Sequence, residues 1–205
     1  MIGIVDYGVG NVKAFLNIYK SFDMPCKLIS TIDHFTNVNK IILPGVGSFD
    51  YAMISLEKSG MRSRLDELVL EKNIPVLGIC VGMQMFAKSS QEGIEKGLGW
   101  IDGVVKKFDT VKFENLLLPH MGWNNLKIKK QDEILNGLDQ NPRFYFLHSF
   151  YFECADKNDV LAYANYGENF GCVIKHKNIY AMQCHPEKSH HNGLKFLKNF
   201  GELQC

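Results

Sequence analysis

A cysteine and a histidine–glutamate pair are the residues of this sequence best suited to nucleophilic chemistry. Cys80 lies between two glycines in Gly78-Ile79-Cys80-Val81-Gly82, directly after the apolar residues 74–77. Much further along the chain, His185 and Glu187 flank a proline. A thiol nucleophile needs a base to take its proton and a carboxylate to orient that base. The three residues therefore predict a Cys-His-Glu triad that transfers acyl groups through a thioester.

The glycines around Cys80 predict how the nucleophile is presented. A sharp turn from a strand into a helix has no room for large side chains and brings backbone N–H groups close to a substrate. Pro44-Gly45-Val46-Gly47 follows another predicted strand and could supply N–H groups to an oxyanion. Neither this loop nor Gly8-Val9-Gly10 completes a dinucleotide or Walker motif. The sequence therefore predicts no nucleotide cofactor.

A structural role is expected for the other cysteines. None of the six cysteines pairs as C-x-x-C, which argues against zinc-ribbon and thioredoxin-type sites. Adjacent residues of a strand point to opposite faces, so Cys184 is expected to point away from the site that His185 serves. Buried, inert thiols are expected at Cys26, Cys154, Cys172 and Cys205.

Two further histidines raise the question of a metal site. His190 and His191 follow His185 and Glu187 closely and could form a cluster with them. The segment contains neither a His-x-x-x-His helix pair nor a C-x-x-C partner. We therefore expect no metal.

Composition limits the classes of partner. The chain has 205 residues, 46% of them hydrophobic, and a net charge of +1, which is typical of one globular domain, residues 1–205. The densest basic cluster, residues 127–130, predicts a solvated turn rather than a nucleic-acid or membrane surface. No apolar run reaches the ~18 residues of a membrane span, and residues 1–6 predict a first strand rather than a signal peptide. We expect a cytoplasmic chain with reduced thiols.

The order of the predicted elements indicates an α/β fold. In the first half, short apolar strands alternate with amphipathic helices, which favours a parallel sheet covered by helices on both faces. The strands are predicted at Ile2–Val5, Cys26–Ile29, 40–43 and 74–79, and the helices at 11–22, 53–56, 61–72 and from 83 to 88. After Gly93, short β-branched or aromatic segments separated by turns predict antiparallel strands. These are 104–108, 111–113, 144–147, 160–164, 171–176 and 179–183, and a last helix is predicted at 193–203.

Taken together, these segments resemble the triad-type (class I) glutamine amidotransferases, nearly from end to end. More narrowly, they resemble the glutaminase subunits of imidazole glycerol phosphate synthases. The segments that carry the resemblance are Asp6-Tyr7-Gly8-Val9-Gly10-Asn11, Leu43-Pro44-Gly45-Val46-Gly47, Leu77-Gly78-Ile79-Cys80-Val81-Gly82-Met83-Gln84, Pro119-His120-Met121-Gly122-Trp123-Asn124, His148-Ser149 and His185-Pro186-Glu187-Lys188-Ser189. The resemblance implies one α/β domain with a mostly parallel, flavodoxin-like sheet and added antiparallel strands.

The resemblance also implies roles for individual residues. Cys80 would attack the side-chain amide of glutamine, His185 would move the proton, and Glu187 would orient the imidazole. The N–H groups of Val81 and of the loop near Val46 would form the oxyanion hole. The positions that would hold the glutamine are Gly47, Gln84, Glu92, Ser149 and Phe150. Ammonia would pass to a (β/α)8-barrel cyclase that makes imidazole glycerol phosphate and an aminoimidazole carboxamide nucleotide (AICAR) in histidine biosynthesis. The positions that would face this partner are Asn11, Met121, Trp123, Tyr145 and Lys188.

Other functions remain open at this point. Residues 143–146, 165–167, 188–191 and 198–200 resemble paralogues that supply ammonia to a sugar amidotransferase in surface-polysaccharide synthesis. The chain also departs from the usual family pattern at Cys184, where an aromatic is usual, and at Phe150, where a tyrosine is usual. A non-catalytic module and a cysteine peptidase are less favoured, because the triad and the matched glutamine-binding positions are both intact.

Overall fold

The computed structural model describes residues 1–113 and 116–204. The strands within these ranges are Ile2–Val5 (β1), Cys26–Ile29 (β2), Lys40–Gly45 (β3), Val76–Cys80 (β4), Ser89–Ser90 (β5), Gly103–Lys107 (β6), His120–Asn125 (β7), Lys127–Ile128 (β8), Arg143–His148 (β9), Phe150–Cys154 (β10), Val160–Tyr166 (β11), Glu168–His176 (β12) and Ile179–Met182 (β13). The α-helices are Val12–Ser21 (α1), Phe49–Lys58 (α2), Arg62–Asp66 (α3), Val81–Gln84 (α4) and His190–Glu202 (α5). A π-helical turn, Glu67–Glu71, continues α3.

The main sheet has the strand order β2-β1-β3-β4-β13-β12-β11-β8. From β2 to β13 every neighbouring pair is parallel, and from β13 to β8 every pair is antiparallel. Strands β1, β3, β4 and β13 are buried along their whole length, as expected of parallel strands covered on both faces. The predicted α/β architecture, a largely parallel core with added antiparallel strands, is confirmed.

Two smaller sheets complete the described fold. One has the order β10-β6-β5, and the other pairs β7 with β9 in antiparallel fashion. The end of β9 reaches the end of β4, where the carbonyl oxygen of Leu147 lies 4.0 Å from the Sγ of Cys80. The smaller sheets therefore cover the carboxyl end of the parallel strands, which is where open α/β sheets carry their sites.

Several predicted elements were wrong in detail. The predicted helix at 83–88 is only the four-residue α4, because the carbonyl groups of Met85 and Ala87 accept N–H groups from Leu98 and Gly99 instead of from a following turn. The predicted strand at 111–113 is a turn, since the carboxylate of Asp109 accepts the N–H groups of residues 111 and 112.

The basic cluster and the cysteines also have defined places. Residues 127–128 form the short edge strand β8 rather than a turn, and a lysine at a sheet edge opposes edge-to-edge association. Cys154, Cys172 and Cys184 are buried as predicted, whereas Cys26 is only half-buried. Cys205 lies outside the described residues. In the part of the chain described, no helix is long and apolar enough to cross a membrane.

Candidate active site

Cys80 stands at the turn between β4 and α4. It is the last residue of the strand, and the helix begins at Val81. Its backbone has φ 55° and ψ −112°, a region that residues with a Cβ rarely adopt and that costs about 1–3 kcal/mol. The cost is tolerated because the surrounding strands fix both ends of the turn. The predicted nucleophile elbow is therefore present as a backbone geometry.

Close backbone contacts hold this elbow in place. A Cβ added to Gly82 would lie 1.9 Å from the carbonyl oxygen of Leu43, at the end of the neighbouring strand β3. A Cβ added to Gly45 would lie 2.4 Å from the N atom of Gly82. Only glycine fits at either position. The loop that carries Val46 is therefore held against the start of α4.

His185 and Glu187 follow β13 at the same edge of the sheet. The His185 Nδ1 lies 2.9 Å from the Glu187 Oε1, and each side chain is only 5% exposed. A carboxylate accepts hydrogen bonds, so Nδ1 carries a proton and donates it to Glu187. The backbone also fixes His185, since its N–H donates to the carbonyl of Tyr145 at 2.8 Å. The pair has the geometry of a base held by a carboxylate.

The surroundings of His185 favour the charged imidazolium. Burial acts to lower the pKa of His185, but hydrogen bonds and charge attraction from Cys80 and Glu187 outweigh it and raise the pKa to about 10. The second oxygen of Glu187, Oε2, is buried without a hydrogen-bond partner among the described residues. The Glu187 charge is thus neutralised chiefly by His185. A positive ring beside Cys80 attracts negative charge on the sulfur, the nucleophilic form of a cysteine.

A cavity of about 310 Å³ opens onto Cys80 and His185. It is lined by Val46, Gly47, Cys80, Val81, Gln84, Glu92, Pro119, Leu147, His148, Ser149, Phe150, His185 and Lys188. Every predicted oxyanion-hole and glutamine-binding position is on this lining. A groove of about 770 Å³ elsewhere is larger, but nearly half of its lining residues carry amide side chains and none is a predicted site residue. The chemistry therefore assigns the candidate site to the smaller cavity.

The Glu92 carboxylate is held beside the first turn of α2. Its Oε2 accepts the N–H of Phe49 at 2.8 Å. Burial raises the pKa of Glu92, and the Phe49 hydrogen bond acts in the opposite direction. Asp50 fixes the loop after Glu92 by accepting the N–H groups of Ile94 and Glu95, both at 3.0 Å. Sequence reasoning missed Asp50, and no local motif marks it.

Amide side chains connect the elbow to the start of β10, which also lines the cavity. The Nε2 of Gln84 donates to the carbonyl of Phe150 at 2.9 Å and to the Oε1 of Gln183 at 3.1 Å. The Nε2 of Gln183 lies 3.8 Å from the Sγ of Cys80. Gln183 is completely buried and was not predicted. Its position directly before Cys184 and His185 is the only signal in the sequence.

The outer face of the β7–β9 pair presents large side chains beside the cavity. Trp123 lies opposite Tyr145, and Met121 lies opposite Leu147. Met121 is 66% exposed and Trp123 is 39% exposed. The Lys188 ammonium lies 5.7 Å from the centre of the Tyr145 ring. The structure thus brings four of the five predicted partner-facing residues together, while Asn11 caps α1 by accepting the N–H of Ala14.

The histidines considered for a metal have other neighbours. His190 stacks face to face on Trp123 with ring centres 4.9 Å apart. The Nε2 of His191 is hydrogen-bonded to Asp139. Across residues 1–113 and 116–204, no group of three or more acidic, histidine or cysteine side chains is arranged to hold a metal ion.

Comparison with known proteins gives a consistent result. The family model described as "Glutamine amidotransferase class-I" matches residues 4–202. The imidazole glycerol phosphate synthase subunit HisH of Leptospira borgpetersenii is 52% identical over 99% of this chain and 100% of its own length. The subunit of the same name from Bdellovibrio bacteriovorus is 51% identical with the same coverage. A crystal structure described as a glutamine amidotransferase superposes with a TM-score of 0.74 at 19% identity over 98% of both chains, a likeness that concerns the fold alone.

Proposed function

This chain belongs to the class-I glutamine amidotransferase family, and from that premise we propose that it hydrolyses glutamine to glutamate and ammonia at Cys80. The observation that carries the proposal is the meeting of three groups at one cavity. The strained elbow presents Cys80, the buried Glu187 orients His185, and Glu92 lines the same cavity as Cys80 and His185.

In the first half-reaction, the Cys80 sulfur attacks the side-chain amide carbon of glutamine. The tetrahedral intermediate collapses when the C–N bond breaks, and the His185 imidazolium gives its proton to the leaving ammonia. A γ-glutamyl thioester on Cys80 remains. The pKa of about 10 for His185 in the free site means that the proton required by ammonia is already on the ring at neutral pH.

In the second half-reaction, water attacks the thioester. His185, now neutral, takes a proton from the water as the oxygen bonds to the carbonyl carbon. The second tetrahedral intermediate expels the Cys80 thiolate and releases glutamate. The ring ends the cycle protonated, as it began, and the sulfur is free to attack again.

Both tetrahedral intermediates carry an oxyanion that needs donors. We assign the N–H of Val81, the first residue of α4, and an N–H of the loop at Val46. Loss of one such donor typically costs about 3 kcal/mol of transition-state stabilisation. The contact between Gly45 and Gly82 supports this assignment, because it keeps the two backbone segments side by side.

The glutamine would be held by its α-amino and α-carboxylate groups. The Glu92 carboxylate is the acidic group on the cavity lining, so it suits the α-ammonium. Gly47, Gln84, Ser149 and Phe150 complete the predicted subsite. The Gln84–Phe150 hydrogen bond joins two of these positions directly and supports their common role.

We further propose that the chain is the glutaminase subunit of an imidazole glycerol phosphate synthase. The names of its relatives support this over a sugar amidotransferase partner. The exposed Met121 and Trp123 with Tyr145 and Lys188 form a face beside the cavity mouth. A (β/α)8-barrel cyclase docked there would receive the ammonia without its release into bulk water and would form imidazole glycerol phosphate and AICAR. We include Asn11 in the docking region on the resemblance alone.

The test is glutamate release from glutamine by the purified chain. It is measured alone and with a barrel cyclase plus its nucleotide substrate, beside a Cys80→Ala control. We expect stimulation by the loaded cyclase and no glutamate from Cys80→Ala. Activity that is lost in Cys80→Ala but is indifferent to the cyclase would transfer the proposal to the sugar amidotransferase partner. Activity that survives in Cys80→Ala would refute the mechanism.

A further inference from the structure

Two buried histidines form a hydrogen-bonded pair behind the cavity. His120 begins β7, His148 ends β9, and the two residues are directly paired across the strands. They are 4% and 6% exposed. The Nδ1 of His120 lies 3.0 Å from the Nε2 of His148. Neither ring has a role in the mechanism above, although His148 lines the cavity.

The contacts at both ends of the pair fix the direction of its hydrogen bonds. The Nδ1 of His148 lies 2.8 Å from the carbonyl oxygen of Phe150, which can only accept. At the other end, the Nδ2 of Asn124 lies 3.2 Å from the Nε2 of His120 and 2.8 Å from the carbonyl of Asn165. The amide group therefore donates at this end.

These partners allow one consistent arrangement of protons. Burial lowers the pKa of His120 to about 4 and that of His148 to about 3, so both rings are neutral at pH 7 and each carries one N–H. His148 must donate from Nδ1 to Phe150. Its Nε2 then accepts from Nδ1–H of His120, whose Nε2 accepts from Asn124. We call this series, from Asn124 through His120 and His148 to the Phe150 carbonyl, the histidine chain.

Packing holds the rings of the histidine chain rigidly. His120 is stacked between Tyr166 and Phe146, with ring centres 4.1 Å and 4.8 Å away. His148 packs against Phe108 and Phe170 at 5.4 Å and 5.1 Å. Rings packed against aromatic neighbours in this way have no room to swing to another partner. The histidine chain is therefore a fixed support for the carbonyl at its end.

The Phe150 carbonyl is also the group that accepts from Gln84. It thus receives two N–H groups, one from the histidine chain and one from the helix that follows the nucleophile. The backbone from Leu147 to Phe150, which carries this carbonyl at its end, lines the cavity. Displacement of this carbonyl would move Ser149 and Phe150, both proposed to hold glutamine.

We propose that His120 and His148 are positioning residues that set the glutamine subsite by holding the Ser149–Phe150 backbone. This inference rests on the proposed glutaminase function. Side chains alternate along β7, so His120 and Asn124 point inward while Met121 and Trp123 point outward. The histidine chain thus joins the back of the proposed docking face to the substrate pocket.

The first test determines which ring nitrogen of each histidine carries the proton, and it does not depend on enzymatic activity. In the full chain labelled with ¹⁵N-histidine, long-range ¹H–¹⁵N correlation at pH 7 should show both rings neutral and protonated on Nδ1. Signals are assigned by their absence in single-site variants. Protonation of either ring on Nε2, or a charged ring at pH 7, would overturn the histidine chain.

The second test compares two replacements of His148. His148→Asn keeps an N–H donor near the position of Nδ1, whereas His148→Phe keeps the ring shape and removes the donor. We expect the KM for glutamine to rise about tenfold in His148→Phe, with kcat per folded molecule within about threefold of wild type. We expect His148→Asn to restore KM to within about threefold. Equal behaviour of the two variants, or a fall in kcat at unchanged KM, would contradict the positioning role.

The same comparison can be made without turnover. Glutamine binding to the two variants in a Cys80→Ala background, measured by calorimetry, should show the same tenfold difference in Kd. If the two variants show this difference in Kd but the wild-type chain releases no glutamate from glutamine, the proposed hydrolysis is refuted and the positioning role is retained. Equal Kd values in the two variants would refute the positioning role alone.

Discussion

Gly82→Ala is the substitution whose effect follows most directly from the geometry. The added Cβ would lie 1.9 Å from the carbonyl oxygen of Leu43, whereas real Cβ contacts are essentially never under 3.0 Å. Both sides of this contact are backbone, so no flexible side chain can move aside. The helix start and the end of β3 must therefore separate by about 1 Å, in an interior that is closely packed.

The shift falls on the groups that we assign to the chemistry. Cys80 lies two residues before Gly82, and the Val81 N–H lies between them. A displacement of about 1 Å in a reacting geometry can reduce the rate by about 100-fold. Overpacking of this kind also typically destabilises a protein by about 1–3 kcal/mol. We therefore expect a large loss of kcat together with a lower melting temperature, and only a minor change in KM.

The assay is glutamate release per folded molecule, with folding followed by circular dichroism during thermal unfolding. Gly171→Ala, in strand β12, is the matched control, because the atoms nearest to its Cβ would be side-chain carbons, the Val160 methyls at 3.3 Å and the Cγ1 of Ile174 at 3.9 Å. We expect the control to retain activity within about twofold. Retention of more than a third of the wild-type rate by folded Gly82→Ala would refute the view that the elbow is locked by this contact.

Three other changes have defined outcomes. Asp50→Ala should raise the KM for glutamine about tenfold, measured by glutamate release, because it removes both hydrogen bonds that hold the loop after Glu92. Trp123→Ala should weaken binding of the barrel cyclase by at least about 2 kcal/mol in calorimetry, as expected for a central aromatic of an interface. The free energy of unfolding should fall as the pH is lowered from about 6.5 towards 4. Each of His120 and His148 should contribute up to about 1.4 kcal/mol per pH unit to this fall. The reason is that their pKa values in the folded state lie below the unfolded value, so the unfolded chain binds their protons first.

Each of these predictions has a matched control. Asp156→Ala removes a similar hydrogen bond from a backbone N–H to a carboxylate, that of Asn158, away from the cavity. It should leave the KM for glutamine unchanged. An equal rise in KM in the Asp156 and Asp50 variants would contradict the role of Asp50. Ile32→Ala removes an exposed side chain that belongs to neither β7 nor β9, and it should not alter cyclase binding. Urea unfolding at pH 7, 6 and 5 should show a smaller pH dependence for His148→Asn than for wild type. An identical dependence would show that the buried histidine does not contribute.

The parallel half of the fold could be predicted because its strands are buried on both faces. Such strands appear as unbroken apolar runs, as in residues 41–43 and 76–77, and the runs mark both the strands and their order along the chain. The proximity of Cys80 and His185 could be predicted for a related reason. Cys80 ends β4 and His185 lies shortly after the neighbouring strand β13, and the ends of neighbouring parallel strands meet at one edge of the sheet.

Strand β7 could not be predicted, because the side chains that it buries are polar. His120 and Asn124 face inward while Met121 and Trp123 face outward, so the usual relation between hydrophobicity and burial is reversed. The inward polar groups become favourable only when partners from β9 and β11 satisfy them. Those partners are far away in the sequence, as are the two backbone groups that Asp50 holds. Interactions of this kind are decided by tertiary structure alone.

The backbone of Cys80 has a consequence for how this protein can change over time. Its left-handed φ of 55° would suit glycine better than any residue with a side chain. Replacing the cysteine by glycine would relieve the local strain, so a mutant library screened only for heat resistance should enrich that replacement. If Cys80 is the nucleophile that we propose, it persists at this position only under selection for the reaction, and a chain released from that selection would be expected to lose it there first.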